Sequence, residues 1–190
     1  MDEKIRTFIA IELDSSLRQA LSKAQNELKT SGADAKWVRP ENIHLTLKFL
    51  GPTPTDKIET ICQLLQDTAN QFAVFEIRLS NIGAFPKIES PRVIWIDINE
   101  GKETLKALFK EIEAKLSPLG FPPEDRPFQT HITLARIRSP LNRINLVDKL
   151  KGIPTPALNQ RVDKITFFKS TLSPKGPIYE ILKEINLKAN

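Results

Sequence analysis

A chain of 190 residues suits one compact domain or two small lobes on a shared core, and its 40% hydrophobic and 27% charged residues are ordinary for a globular protein. No apolar run approaches the ~20 residues of a spanning helix, the start Met1-Asp2-Glu3-Lys4 lacks the apolar stretch of a signal peptide, and a single cysteine, Cys62, leaves no disulfide framework. The cytoplasm is therefore the expected compartment, and a net charge of +5 favours an anionic partner only mildly, because the basic residues are spread without a cluster.

Arg6 to Leu13 reads as a buried strand, followed by an N-cap at Asp14 and a helix whose Leu17, Leu21, Ala24 and Leu28 recur at helical spacing. Ser31-Gly32 ends that helix. Ile43 to Leu50 is a strand pattern closed by Gly51-Pro52, and a second helix follows a cap near Thr55. Phe75 to Leu79 and Arg92 to Ile98 read as strands, and Leu105, Leu108, Phe109, Ile112 and Leu116 stripe a helix over Lys102 to Leu116. A proline-rich loop leads into a strand from Thr130 to Arg136. A short helix is expected near Asn145 to Leu150, then strands over Val162 to Phe168 and Ile178 to Ile185 around the turn Ser173-Pro174-Lys175-Gly176.

This order contains a repeat. Arg6 and Arg92, Leu17 and Leu105, His44 and His131, and Phe75 and Val162 stand 86, 88, 87 and 87 residues apart. The spacing suggests two copies of a β-α-β unit. Duplication offers equivalent strands facing each other across a cleft, and with no low-complexity linker the whole of 1–190 is expected to be a single domain of two pseudo-symmetric lobes.

Both histidines of the chain lie in that repeat, as His44-Leu45-Thr46-Leu47 and His131-Ile132-Thr133-Leu134. Alternation along a strand puts each histidine and its threonine on one face and the leucines or isoleucine on the other. One such pair is common strand vocabulary: a buried or solvated histidine beside a β-favouring threonine. With 13 threonines in the chain, two pairs by chance is roughly a one-in-200 event. Two imidazoles and two hydroxyls suit phosphodiester hydrolysis. One histidine takes the proton of the attacking water and the other protonates the leaving oxygen, while hydroxyls hold the non-bridging oxygens.

These motifs resemble the two-histidine phosphoesterase superfamily, and within it the RNA 2′,3′-cyclic phosphodiesterase family, also called 2′-5′ RNA ligases. The resemblance extends through Arg6 to Ala10, Trp37 to Gly51, Pro91 to Trp95, His131 to Arg136 and Ser170 to Tyr179. It implies a bilobal α+β fold, two antiparallel sheets lining a central cleft with helices outside. It also implies that His44 is the proton donor and His131 the acceptor, with Thr46 and Thr133 beside them, that Arg136 contacts the phosphate, and that Phe49 packs near the base. Arg92 and Arg126 are candidates to extend a basic cleft, with a plain surface charge as the other reading of each. One departure is Thr130, where the family commonly has proline.

The implied reaction opens an RNA terminal 2′,3′-cyclic phosphate to a 2′-phosphate, and with a 5′-hydroxyl in place of water it joins ends without ATP. RNA ends, tRNA fragments among them, are the expected partners of a monomer. Rival readings are a phosphodiesterase for small cyclic nucleotides or 2′-5′ oligoadenylate, and a binding module without catalysis. No cofactor is expected, because no phosphate loop or dinucleotide fingerprint is present. No metal is expected, because three cysteine and histidine residues in total fall short of a structural zinc set. Cys62, among apolar helix positions, reads as core, as do Trp37 and Trp95 beside strands.

Overall fold

Both faces of the first strand, β1 (Lys4–Glu12), are covered: Thr7 to Ile11 are all buried, Ile9 and Ile11 in the main core and Phe8 and Ala10 in a smaller cluster on the opposite face. The structure, a computed structural model, describes residues 3–156, 158–174 and 176–189. Met1 and Asp2, and Lys175 of the predicted turn, therefore lie outside the described residues. Asp14 caps α1 (Ser15–Lys29) as expected: its carboxylate accepts from the Leu17 amide at 2.8 Å and satisfies a donor the helix leaves free. The chain continues through β2 (Ala35–Trp37), β3 (His44–Pro54), α2 (Ile58–Ala69), β4 (Phe75–Phe85) and β5 (Val93–Glu100). It then forms α3 (Lys102–Leu116), β6 (His131–Ile137), α4 (Arg143–Gly152), β7 (Asn159–Val162), β8 (Lys164–Ser173) and β9 (Gly176–Asn186).

These strands form two antiparallel sheets, a four-stranded one in the order β3-β1-β8-β9 and a five-stranded one in the order β2-β6-β5-β4-β7. The fold is α+β, as expected. One apolar cluster holds Ile9, Leu45, Leu47, Ile94, Ile132 and Leu134 from the sheets together with Leu17, Leu65 and Leu108 from the helices. The opposite faces of both sheets are left for the site.

Four features depart from the sequence reading. β3 does not stop at Gly51-Pro52 but runs to Pro54; it is an edge strand, where a proline lacking its N–H interrupts no ladder. The strand expected over Val162 to Phe168 is two strands, β7 and β8, parted at Asp163. Phe75 and Val162, which look like counterparts in the repeat, are direct partners across β4 and β7. Finally, β2 and β7 are too short to show a periodicity of their own.

The third strands cross over between the sheets. β4 follows β3 in sequence yet pairs with β5 and β7, and β8 follows β7 yet pairs with β1 and β9. Neither half of the sequence contains a complete sheet.

Candidate active site

β3 and β6 carry the two motifs, and both are bulged at the same point. Phe8 pairs with Phe49 and Ala10 with Thr46, but Ile9 pairs with Lys48, so Leu47 is an extra residue on β3. In β6, Val93 pairs with Arg136, Ile94 with Ala135 and Trp95 with Thr133, so Leu134 is the extra residue. A bulge shifts the side-chain alternation by one. Leu47 and Lys48 are both turned inward, as are Leu134 and Ala135. Phe49 is thereby brought onto the face of His44 and Thr46, and Arg136 onto the face of His131 and Thr133. Without the bulges, residues five places after each histidine would point to the core. The buried Gln25 amide helps hold the second bulge by donating to the Leu134 carbonyl at 2.9 Å, and to Val38 at 2.8 Å.

The histidines are anchored alike. His44 Nδ1 lies 2.8 Å from the Asn42 carbonyl and His131 Nδ1 lies 2.8 Å from the Gln129 carbonyl. A carbonyl only accepts, so each Nδ1 carries the proton and each Nε2 is left for substrate. Each imidazole also meets an aromatic on the neighbouring strand: Phe8 lies 5.0 Å from His44, and Trp95 lies 6.4 Å from His131. Tyr179 stands edge-on to His44 at 5.4 Å and Phe85 edge-on to His131 at 5.3 Å. Gly83 makes room here, because a Cβ on it would fall 2.6 Å from the Trp95 ring. Burial lowers the His44 pKa, against a smaller raising effect of the hydrogen bond to Asn42.

A cleft of about 550 Å³ is lined by His44, Thr46, Phe49, His131, Thr133 and Arg136 together. Arg92 and Arg126 are not among its lining residues. Arg92 precedes β5 and is out of phase with Val93, Trp95 and Asp97, the residues paired with Arg136, Thr133 and His131. It also stands five residues, or ~16 Å of strand, from the position opposite His131. Arg126 is exposed in the loop before β6, a loop drawn to the helical side by Lys48 Nζ donating to the Pro122 carbonyl at 2.9 Å and the Glu124 amide donating to Glu113.

Other lining residues were missed from the sequence. Lys36, Trp37 and Arg39 arrive from β2 and the turn after it, Arg138 follows β6, and Tyr179 comes from β9. Trp37, read as core, touches the core with one part and lines the cleft with another. Two signals pointed to Tyr179: it ends the Ser170 to Tyr179 stretch of the resemblance and it is the sole tyrosine of the chain. Burial raises its pKa, offset in part by the positive charges of Arg6 and Arg136, so the hydroxyl keeps a proton to donate. Among the described residues the lining includes Lys36, Arg39, Arg136 and Arg138 and no aspartate or glutamate. Such a cleft attracts a phosphate. Among the described residues, no group of three or more His, Cys, Asp or Glu is placed to hold a metal ion, and Cys62 is half-buried against the core, with its thiol pKa raised chiefly by burial.

The LigT-like phosphoesterase family matches this chain twice, over residues 11–95 and again over 96–179. The chain belongs to that family. Among similar LigT-like proteins is the RNA 2′,3′-cyclic phosphodiesterase of Methanothermobacter thermautotrophicus, 34% identical over 187 residues that span 97% of this chain and 100% of that protein. The protein of the same name from Thermotoga maritima is 34% identical over 180 residues, 95% of this chain and 94% of its own. A crystal structure from Thermus thermophilus superimposes with a TM-score of 0.83 at 30% identity, covering 98% of this chain and 100% of that one. LigT of E. coli, at 24% identity, shares the fold with a TM-score of 0.79, covering 98% of this chain and 99% of its own.

Proposed function

We propose that this LigT-like phosphoesterase opens RNA terminal 2′,3′-cyclic phosphates to 2′-phosphomonoesters, with His44 as proton donor and His131 as proton acceptor. The observation that carries the reading is the twin anchoring. Two Nδ1-protonated imidazoles, each with a threonine beside it, share one cationic cleft. The name RNA 2′,3′-cyclic phosphodiesterase borne by relatives of near-equal length supports the substrate class.

In the proposed reaction His131 Nε2 takes a proton from water as the water oxygen bonds to phosphorus. The bond from phosphorus to the ribose O3′ breaks on the opposite side, and O3′ receives the proton of His44 Nε2. Thr46 and Thr133 donate to the non-bridging oxygens, and Arg136 balances their charge. Phe49, 59% exposed, presents an aromatic face to an RNA base. Water replaced by an RNA 5′-hydroxyl gives a 2′-5′ linkage through the same proton transfers.

One chain supplies both histidines, which supports a monomer as the working form. RNA ends, including those of tRNA fragments, are its proposed partners and the cytoplasm its proposed compartment, the latter on its lone cysteine. The test is to incubate the protein with RNA ending in a 2′,3′-cyclic phosphate, with and without EDTA. Opening of the ring at an unchanged rate in EDTA is expected. Activity lost on chelation and restored by a divalent ion would overturn the metal-free mechanism.

A further inference from the structure

Two cations oppose each other at the edge of the five-stranded sheet. Lys36 of β2 is the ladder partner of Arg136 of β6, and both are exposed and line the cleft. Directly opposed side chains start about 5 Å apart at Cβ, and like charges so placed repel. The row continues past the end of β6. The Arg138 amide donates to the Asp34 carbonyl at 2.9 Å, so Arg138 keeps the strand's alternation and follows Arg136 on the same face, ~6.6 Å further on. Asp34 stands across from Arg138, yet Arg138 lines the cleft and Asp34 does not. Lys36, Arg136 and Arg138 have no ion-pair partner among the described residues. Three crowded cations without a carboxylate raise the local potential, and a bound anion relieves it. The phosphodiesterase reading above commits Arg136 to the terminal phosphate and leaves Lys36 and Arg138 without a role.

We propose that Lys36 and Arg138 hold the phosphodiester on the 5′ side of the terminal nucleotide, which fits the cleft to the end of an RNA strand rather than to a free cyclic nucleotide. The inference rests on that same reading. A ribose whose 2′ and 3′ oxygens both belong to the cyclic phosphate continues only through its 5′ oxygen, so the neighbouring phosphate is the next anion that the substrate offers. With the base taken by Phe49 on β3, the row of cations on the other sheet is left for the backbone. Two residues of extended strand set Arg138 off from Arg136 by about the separation of successive phosphates. Lysine and arginine at such a place contact the backbone without reading a base, so the subsite adds affinity for any sequence.

Binding of product nucleotides tests this without any turnover. Calorimetric titration of the full chain with adenosine 2′-monophosphate and with the dinucleotide uridylyl-(3′→5′)-adenosine 2′-monophosphate should show the dinucleotide tighter by about tenfold. A dinucleotide whose linkage is an uncharged methylphosphonate keeps both bases and loses the anion, and its advantage should fall to within about twofold. The same fall is expected for the natural dinucleotide on the protein carrying Lys36→Gln with Arg138→Gln, two exposed positions whose change leaves the core untouched. Equal binding of mononucleotide and dinucleotide, binding of neither, or an advantage that survives the methylphosphonate or the double substitution would overturn the proposal. The phosphodiesterase reading is tested apart, by turnover of adenosine 2′,3′-cyclic phosphate and of RNA with a cyclic end. A protein that opens both while binding the two products equally keeps that reading and loses this one.

Discussion

His44 and His131 each spend their Nδ1 proton on a carbonyl two residues earlier, so both imidazoles are held in one tautomer before substrate arrives. Substituting either with alanine should lower turnover by roughly a hundredfold or more while thermal melting shows an intact fold. Turnover within a few-fold of the parent would remove that histidine from the mechanism. The pH dependence follows from burial. A donor must hold its proton, so kcat/KM falls as pH rises through the His44 pKa, which burial places below the ordinary value of ~6.5. Bound phosphate favours the charged imidazole, so kcat should fall at higher pH than kcat/KM does. Stability has its own sign. The unfolded chain takes up this proton first, so folding free energy is lost as pH drops from about 6.5 toward the lower folded value, and levels off beyond it. His44→Gln should remove that loss in denaturant titrations across this range; an unchanged slope would show His44 is not its source.

At the scale of elements, the paired motifs were legible because strand alternation makes a histidine and a threonine two residues apart share a face. The bulges at Leu47 and Leu134 were not legible, since an extra residue is defined only by its partner strand. Their effect on the site is large, because they decide which way Phe49 and Arg136 point. The first bulge also buries Lys48, only 2% exposed, whose Nζ meets Glu113 at 2.5 Å and the Pro122 carbonyl at 2.9 Å. The strand of His44 is thus tied to α3 and to the loop that enters the strand of His131. Lys48→Ala leaves Glu113 without its cation, which should cost about 3–5 kcal/mol and lower Tm by about 10 °C. The double change Lys48→Met with Glu113→Leu should recover most of this, by calorimetry. A Lys48→Ala protein melting with the parent would show that the pair contributes nothing. β2 likewise escaped the sequence reading, although it delivers Lys36 and Trp37 to the cleft. Its counterpart one repeat later falls on Pro122-Pro123, which cannot donate to a ladder, so only one sheet gains this basic edge.

For the whole molecule, the repeat visible in the sequence maps onto matched strand positions but not onto separable lobes. β4 and β8 each complete the sheet begun by the other half. We therefore expect residues 1–190 to unfold as one cooperative unit. Fluorescence of Trp37 and Trp95, both in the five-stranded sheet, and far-ultraviolet dichroism of all elements should give coincident denaturation curves. Separate midpoints, or an isolated fragment 1–90 that folds, would contradict this.

The central claim is that the two histidines are not interchangeable despite their matched settings. His44 lies between two cavities, beside Phe8 and Tyr179, while His131 faces Phe85 and Trp95. Phosphorus NMR of the product from an RNA ending in a 2′,3′-cyclic phosphate reads that asymmetry directly. The account predicts a 2′-phosphomonoester with a free 3′-hydroxyl; a predominantly 3′-phosphate product would contradict it and reverse the assignment of donor and acceptor.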